Sequence, residues 1–308
     1  MSMNAPMNAP TNAPAAPSAA ATGWLNGLLG VVIFSASLPA TRVAVLDLDP
    51  LFLTFARATI AGLLGLLLLA VCGGRRPARV DLVPLLVVAS GVVVGFPLLT
   101  ALALRHVTSA HAMVFVGLLP LATASFGVVR GGERPRPAFW GFSLAGGALV
   151  AGYALAQGGD RGGSGASLVG DGLMVAAVLV CGLGYAEGAR LSRGLGGWRV
   201  ISWALVLSLP VTAPLAVLEA PPSFDGVGWP ALAALAYVSV FSMLIGFVFW
   251  YRGLAQGGIA AVGQLQLLQP FLGLALAATL LGEPVGWGLV AVAAGVVACV
   301  AGAKRFAA

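Results

Sequence analysis

The sequence predicts an all-α polytopic membrane protein with ten transmembrane helices, arranged as a five-plus-five inverted repeat. Three observations support this fold class. Of the 308 residues, 59% are hydrophobic and only 8% are charged, whereas a soluble protein carries about a quarter charged residues. Ten hydrophobic runs can be separated, each of about 20 residues, the length that a bilayer span requires. Finally, one pattern of prolines, glycines and acids occurs in both halves of the chain.

The chain divides into five segments. Residues 1–22 carry no charge and several prolines, so we expect a disordered N-terminal tail. Residues 23–157 form the first five-helix repeat, and residues 168–303 form the second. A Gly-rich connector, 158–167, lies outside the membrane, and 304–308 is a cytoplasmic tail. The predicted spans are 24–44, 51–72, 82–104, 108–129, 137–157, 168–189, 200–219, 229–250, 259–281 and 284–303.

The positive charges predict the orientation of these spans, because cytoplasmic loops of membrane proteins are enriched in Lys and Arg. With a cytoplasmic N-terminus, the outer loops hold only Arg42, Arg105 and Arg161. The inner segments then hold twelve cations, which are Arg75, Arg76, Arg79, Arg130, Arg134, Arg136, Arg190, Arg193, Arg199, Arg252, Lys304 and Arg305. Both termini are therefore predicted to be cytoplasmic, in the cell inner (plasma) membrane.

An internal duplication appears at an offset of 150 positions. Pro120 corresponds to Pro270, and Gly132-Glu133 corresponds to Gly282-Glu283. Each half contains an odd number of spans, so the second half enters the membrane in the opposite direction, as in transporters that work by alternating access. The two prolines each remove a backbone hydrogen bond. They are candidate kinks or hinges, although proline is also an ordinary residue in membrane helices.

These features together resemble the drug/metabolite transporter superfamily, and more narrowly its EamA-type exporters. The resemblance covers essentially all of 24–303, and within the family the chain looks most like the YddG-type exporters, which are associated with aromatic amino acids. It implies a basket of ten helices around a central cavity, lined mainly by spans 1, 3, 4, 6, 8 and 9. The matching pieces are Leu118-Leu119-Pro120, Gly132-Glu133, Leu268-Gln269-Pro270, Gly282-Glu283-Pro284, Pro39-Ala40-Thr41-Arg42 and Arg57.

Polar side chains within spans are costly, so each is a candidate for substrate binding. Gln264, Gln266 and Gln269 are the densest group. At about 100° per residue, Gln266 and Gln269 lie on one face of a helix and Gln264 on another. These amides either bind the polar group of a substrate or hydrogen-bond neighbouring helices. His111, near the outer end of span 4, could titrate or serve as an ordinary hydrogen-bond partner.

Further cavity candidates are a threonine and several aromatic residues on the helices that the resemblance places around the cavity. An aromatic substrate could stack on such rings, although an aromatic side chain in a span is more often a packing or lipid contact. The candidates are Phe96, Thr100, Phe115, Tyr185, Tyr237 and Phe241.

Three charged residues are expected to be structural. Arg57 lies seven residues past Pro50, about 10 Å along its helix, where a cation must snorkel, pair or face an aqueous cavity. Glu133 and Glu283 lie at the membrane edges, where capping or pairing between loops is the expected role. Asp171 and Glu187 lie near the two ends of span 6, so no midplane carboxylate relay is visible and facilitated export is the simplest mechanism.

The sequence predicts no enzyme, cofactor or metal site, because catalytic motifs are absent and the cysteines are scattered. The predicted function is export of small amphipathic metabolites, amino acids and among them aromatic ones, by alternating access. The alternatives are a transporter of organic anions or sugar phosphates and a membrane-embedded lipid-modifying enzyme. The expected partners are the small-molecule substrate and the lipid bilayer, without nucleic acid, and the chain is expected to be a monomer or weak homodimer.

Overall fold

The computed structural model describes residues 19–103, 106, 112, 115–158, 167–281 and 287–306. Regular secondary structure within these residues is helical throughout. The helices, numbered in chain order, are α1 (Ala19–Ala44), α2 (Pro50–Val71), α3 (Arg79–Ala103), α4 (Leu119–Gly131), α5 (Pro137–Gly158), α6 (Ser167–Leu195), α7 (Gly197–Leu218), α8 (Trp229–Gly257), α9 (Ile259–Gly263, Gln264–Leu268 and Gln269–Leu281) and α10 (Trp287–Arg305).

Six of these helices, α1, α2, α3, α6, α7 and α8, are each long and apolar enough to cross a membrane. The other four overlap the predicted spans 108–129, 137–157, 259–281 and 284–303. Three helices extend beyond the ends of their predicted spans. Helix α1 begins at Ala19, inside the predicted tail, and α10 continues to Arg305. Helix α6 runs on to Leu195 and stops at Gly196, whose φ of 85° favours glycine.

The internal repeat is visible in the helix geometry. Helices α2 and α7 are both 22 residues long and begin 147 positions apart, at Pro50 and Gly197. Helices α3 and α8 both contain a π-helical segment, at Ala89–Gly95 and Val238–Ile245. In these segments the N–H of Phe96 bonds the carbonyl of Gly91, and the N–H of Gly246 bonds the carbonyl of Phe241, 150 positions on. Such segments are rare and often mark functional sites.

The two predicted kink prolines occupy equivalent positions. Pro120 and Pro270 are each the second residue of a 13-residue helical segment, Leu119–Gly131 and Gln269–Leu281. A 3₁₀ segment, Gln264–Leu268, precedes the second one. Proline is tolerated in the first turn of a helix because the N–H that it lacks has no partner there. Each proline therefore begins a new helical segment within its span.

Glycines allow α1 and α8 to pack with their backbones in contact. A Cβ atom added to Gly253 would lie 2.5 Å from the backbone nitrogen of Gly27, and one added to Gly23 would lie 2.5 Å from that of Gly257. Such close approach is the usual role of small residues between membrane helices. It joins the first helix of one repeat to the third helix of the other.

We predict that Gly253→Ala lowers the free energy of unfolding by about 2 kcal/mol, because the added methyl group overlaps backbone atoms that cannot move aside. Thermal unfolding in detergent micelles measures this. Gly141→Ala in α5 is the matched control, since a Cβ there meets no atom within 4 Å. Alanine is the better helix former by about 1 kcal/mol, so the control should be as stable as the parent or more stable. Equal stability of the two variants contradicts this packing.

The two ends of the bundle carry different contacts. At the end where α1 begins and α10 finishes, here called the termini end, Lys304 lies 4.6 Å from the ring centre of Trp24. At the opposite end, the backbone N–H of Gly228 donates to the carboxylate of Asp47 over 2.9 Å. The first contact joins α10 to α1, and the second joins the residue before α8 to the loop between α1 and α2.

Candidate functional site

A cavity lies at the centre of the bundle, between α1, α2, α3, α4, α6, α8 and α9, with about 680 Å³ of space free of atoms, its mouth included. Its polar lining consists of Ser37, Thr41, Arg57, Thr100, Ser242 and Gln269. Its aromatic lining consists of Phe34, Phe96, Tyr185 and Phe247. Helices of both repeats therefore contribute to one site.

The cavity lies where the two repeats meet, because many lining residues are equivalent to one another. The offset between repeats is 147 positions at the second and seventh helices, and we extend it to the first and sixth; at the third and eighth helices and at the proline segments it is 150. Five equivalent pairs lie in the lining, namely Phe34 and Cys181, Leu38 and Tyr185, Val92 and Ser242, Pro97 and Phe247, and Leu119 and Gln269. The cavity therefore lies between equivalent parts of the two repeats. Two of its polar groups, Ser242 and Gln269, stand where the other repeat has an apolar residue.

The polar side of the cavity is organised around Arg57. This side chain is only 8% exposed, and its Nη2 donates to the hydroxyl of Ser242 over 3.2 Å. Ser37 donates to the same hydroxyl oxygen over 2.7 Å. These contacts join α1, α2 and α8 through one polar cluster. Arg57 therefore lines the cavity. Snorkelling, ion pairing and an aqueous cavity were the three environments that its depth in the span allowed.

Aromatic rings form the side of the cavity towards the termini end. The ring centres of Phe34 and Phe247 are 4.7 Å apart, and those of Tyr185 and Phe247 are 5.8 Å apart. The ring centre of Trp250 lies 5.5 Å from that of Tyr185. The hydroxyl of Tyr251 donates to the backbone carbonyl of Gly184 over 3.3 Å. The floor is thus apolar and densely packed.

Glu133 fastens the start of α9 at the termini end. Its two carboxylate oxygens accept hydrogen bonds from the backbone N–H groups of Ile259 and Ala260, over 2.5 and 2.6 Å. Arg193 of α6 lies 3.5 Å from the same carboxylate. A carboxylate at this place satisfies two unpaired helix N–H groups and opposes the positive end of the helix dipole. Capping or pairing was the predicted role of Glu133 and Glu283; the contacts of Glu133 are those of a cap, and Glu283 lies outside the described residues.

Glu187 forms a second ionic cluster at the same end. Its carboxylate is fully buried and accepts hydrogen bonds from Arg130 of α4 and from Arg190, the latter over 3.0 Å. The sequence placed Glu187 near one end of span 6. Together Glu133 and Glu187 tie α4, α6 and α9 to one another on the termini side of the cavity.

Comparison with known proteins identifies the family. The family model of the EamA-like transporters matches residues 21–156 and, a second time, residues 168–303. The chain belongs to the EamA-like transporter family. The uncharacterized transporter YdeK of Bacillus subtilis (strain 168) is 68% identical over 285 residues, which cover 92% of this chain and 98% of YdeK. A protein of known crystal structure matches with a TM-score of 0.77 over 93% of this chain and 97% of its own, at 23% identity, which concerns the fold alone.

As an EamA-like transporter, the chain is a multi-pass membrane protein that moves a small-molecule substrate, and it is not an enzyme. The predicted EamA-type family is therefore confirmed. The double match to the family model agrees with the duplication read from the sequence and from the paired π-helical segments.

Four of the predicted cavity residues lie in the lining of the cavity, namely Phe96, Thr100, Tyr185 and Gln269. Phe115 is partly buried against the core and is not in the lining. His111 lies outside the described residues. Within the described part of the chain, no group of three or more His, Cys, Asp and Glu residues is placed to hold a metal ion.

Two predicted aromatic residues of α8 lie away from the cavity. The hydroxyl of Tyr237 donates to the carbonyl of Ile33 over 2.7 Å, and its ring stacks on Phe241, which is 46% exposed. Their neighbours Ser242 and Met243 line the cavity instead. Successive helical residues point in directions about 100° apart, so the same stretch of α8 cannot turn both pairs inwards.

Gln264 and Gln266 are fully buried on the 3₁₀ segment of α9 but do not line the cavity. Gln266 accepts a hydrogen bond from Thr123 over 3.4 Å, which matches the interhelical alternative. Neither amide atom of Gln264 has a hydrogen-bond partner among the described residues.

Sequence reasoning missed several lining residues of the EamA-like transporter, namely Phe34, Ser37, Thr41, Cys181, Ser242 and Phe247. One signal could have found Ser242. It is a polar residue at a position whose partner in the other repeat, Val92, is apolar. Single hydroxyl groups within apolar spans otherwise give no pattern that distinguishes a cavity from a helix contact.

Proposed function

We propose that this chain exports small amphipathic metabolites, with amino acids and among them aromatic amino acids as substrates, by alternating access at the central cavity. The observation that carries the proposal is the two-sided character of the lining. Arg57, Ser242 and Gln269 offer charge and hydrogen bonds, and Phe34, Tyr185 and Phe247 offer an apolar aromatic surface. A small solute with one polar end and one apolar end matches both sides at once.

The proposed transport cycle uses ten spans with both termini in the cytoplasm, in the plasma membrane. The twelve cations of the inner segments support this orientation, because they concentrate at the termini end. That end is closed by Glu133, Glu187 and the aromatic floor. Opening it while the opposite end closes would expose the cavity in turn to the two sides, as expected for two related halves of opposite orientation.

The lining favours amino acids over sugar phosphates. Among the described lining residues Arg57 is the single cation. A phosphate ester carries nearly two negative charges at neutral pH, which one arginine does not balance. No Asp or Glu lies in that lining either, which agrees with facilitated export down a concentration gradient.

Reconstitution into liposomes tests the proposed function. Vesicles loaded with labelled phenylalanine, alanine or threonine should release at least one of the three faster than protein-free vesicles, with saturation at high concentration. The release should persist after the pH and voltage gradients have been collapsed. A loading series with a phosphate ester is run in parallel.

Two results count against the proposal. If none of the three amino acids moves while the phosphate ester does, amino acids are not the substrate. If release requires a pH or voltage gradient, export is coupled and the facilitated mechanism fails.

A further inference from the structure

Arg57 is a buried cation for which the described part of the chain shows no counter-charge. It is 8% exposed, and its Nη2 donates to the neutral hydroxyl of Ser242. Its Nε has no hydrogen-bond partner among the described residues. None of the ion pairs found among the described residues includes it.

No Asp or Glu among the described residues lines the cavity with Arg57, and four of these carboxylates are engaged elsewhere. Glu133 and Glu187 are engaged at the termini end. Asp47 and Asp49 accept backbone hydrogen bonds at the opposite end, within the loop that joins α1 to α2. An isolated charge in a low-dielectric interior is costly unless an opposite charge pairs with it.

Further hydrogen-bond donors lie in the same lining. Ser242 accepts from both Ser37 and Arg57, which leaves its own hydroxyl proton free to donate. The hydroxyl of Thr100 is buried without a partner, and the amide of Gln269 also borders the cavity. A carboxylate accepts up to about four hydrogen bonds and binds guanidinium groups with two of them. The arrangement suits one carboxylate.

We infer that Arg57 is the anchor for the carboxylate of the transported molecule, with Ser242 and Thr100 as supporting donors. The inference rests on the proposed function, because it names the chemical class of the substrate at that same cavity. The single cation selects a monocarboxylate, and the aromatic side of the cavity contacts the apolar remainder of the molecule. The substrate completes the charge balance that the protein leaves open.

Ligand-dependent thermal unfolding tests the anchor without any transport step. The probes are phenylacetate and phenylacetamide, which share their shape and differ in charge. Phenylacetate should raise the unfolding midpoint of the parent protein in a saturable way, and phenylacetamide should not. In Arg57→Met, half-saturation by phenylacetate should require at least about tenfold more ligand, as expected for loss of a charge-assisted bond. Without ligand, Arg57→Met should unfold at a higher temperature than the parent, because a buried unpaired charge is gone.

Arg42→Gln is the matched control, since Arg42 is an exposed cation next to the lining residue Thr41. It should respond to both probes as the parent does. An equal response of the parent to acid and amide, an unchanged phenylacetate response in Arg57→Met, or saturation by chloride in place of phenylacetate overturns the inference.

The failures of the two proposals are distinguishable. If phenylacetate binds through Arg57 but liposomes release no amino acid, only the proposed function fails. If liposomes release amino acids and Arg57→Met releases them at the same rate, only the anchor fails.

Discussion

Glu187→Gln is expected to lower the free energy of unfolding by about 3 kcal/mol, the largest stability effect of any single substitution considered. The carboxylate of Glu187 is fully buried and pairs with Arg130 and Arg190. Removing one member of a buried ion cluster leaves the others without compensation, which typically costs about 3–5 kcal/mol. The lower value applies because both arginines are nearly half exposed and can turn towards water. Denaturant or thermal unfolding in micelles, followed by tryptophan fluorescence, measures it.

Arg190→Gln is the control for this prediction. Glu187 then keeps Arg130 as a partner, so the loss should be well below that of Glu187→Gln. The double variant Arg130→Gln/Glu187→Gln should lose less than the two single losses added together, because the pair has been removed as a unit. A Glu187→Gln protein as stable as the parent shows that the cluster does not hold α4 to α6.

Glu133→Ala is expected to release the start of α9 at the termini end. The substitution removes both acceptors of the Ile259 and Ala260 N–H groups. Loss of a helix cap typically costs about 1–2 kcal/mol, which corresponds to a roughly five- to thirtyfold larger population of the locally opened state. Hydrogen exchange measured by mass spectrometry on a peptide covering 259–263 should be correspondingly faster, while a peptide from α7 should be unchanged.

The control separates the cap from the ion pair. Arg193→Gln removes the partner that lies 3.5 Å from Glu133 but leaves both backbone hydrogen bonds in place. Exchange in 259–263 should therefore stay close to that of the parent. Equal exchange in Glu133→Ala and the parent indicates that another contact holds the start of α9.

The helices and the repeat could be predicted because they follow from hydropathy and spacing. A bilayer sets the length of each apolar run, and duplication keeps Pro120 and Pro270 at one offset. The offset is 150 at the third helix of each repeat but 147 at the second. The smaller offset is seen in the helix ends, because the second helices end at Val71 and Leu218. The two π-helical segments have no sequence signature, since their extra residue per turn depends on packing.

The candidate site was less predictable than the fold. Arg57 was found as an unusual charge, but its depth alone could not distinguish snorkelling from a cavity, and the contact with Ser242 decides this. Tyr237 and Phe241 were predicted cavity residues, whereas Ser242 and Met243 of the same helix lie in the lining. Side-chain direction within a uniformly apolar helix depends on neighbouring helices, which one sequence does not specify.

The most direct measurement of alternating access is thiol labelling of Ser37→Cys, in a background lacking Cys72, Cys181 and Cys299. Ser37 lies in the cavity lining beside Ser242. In vesicles of known orientation, a membrane-impermeant methanethiosulfonate should label it from the side opposite the termini end and not from the termini side. Adding Glu133→Ala should make it reactive from the termini side as well. Reactivity from one side only, in both proteins, contradicts a cavity that opens in turn to the two sides of the membrane.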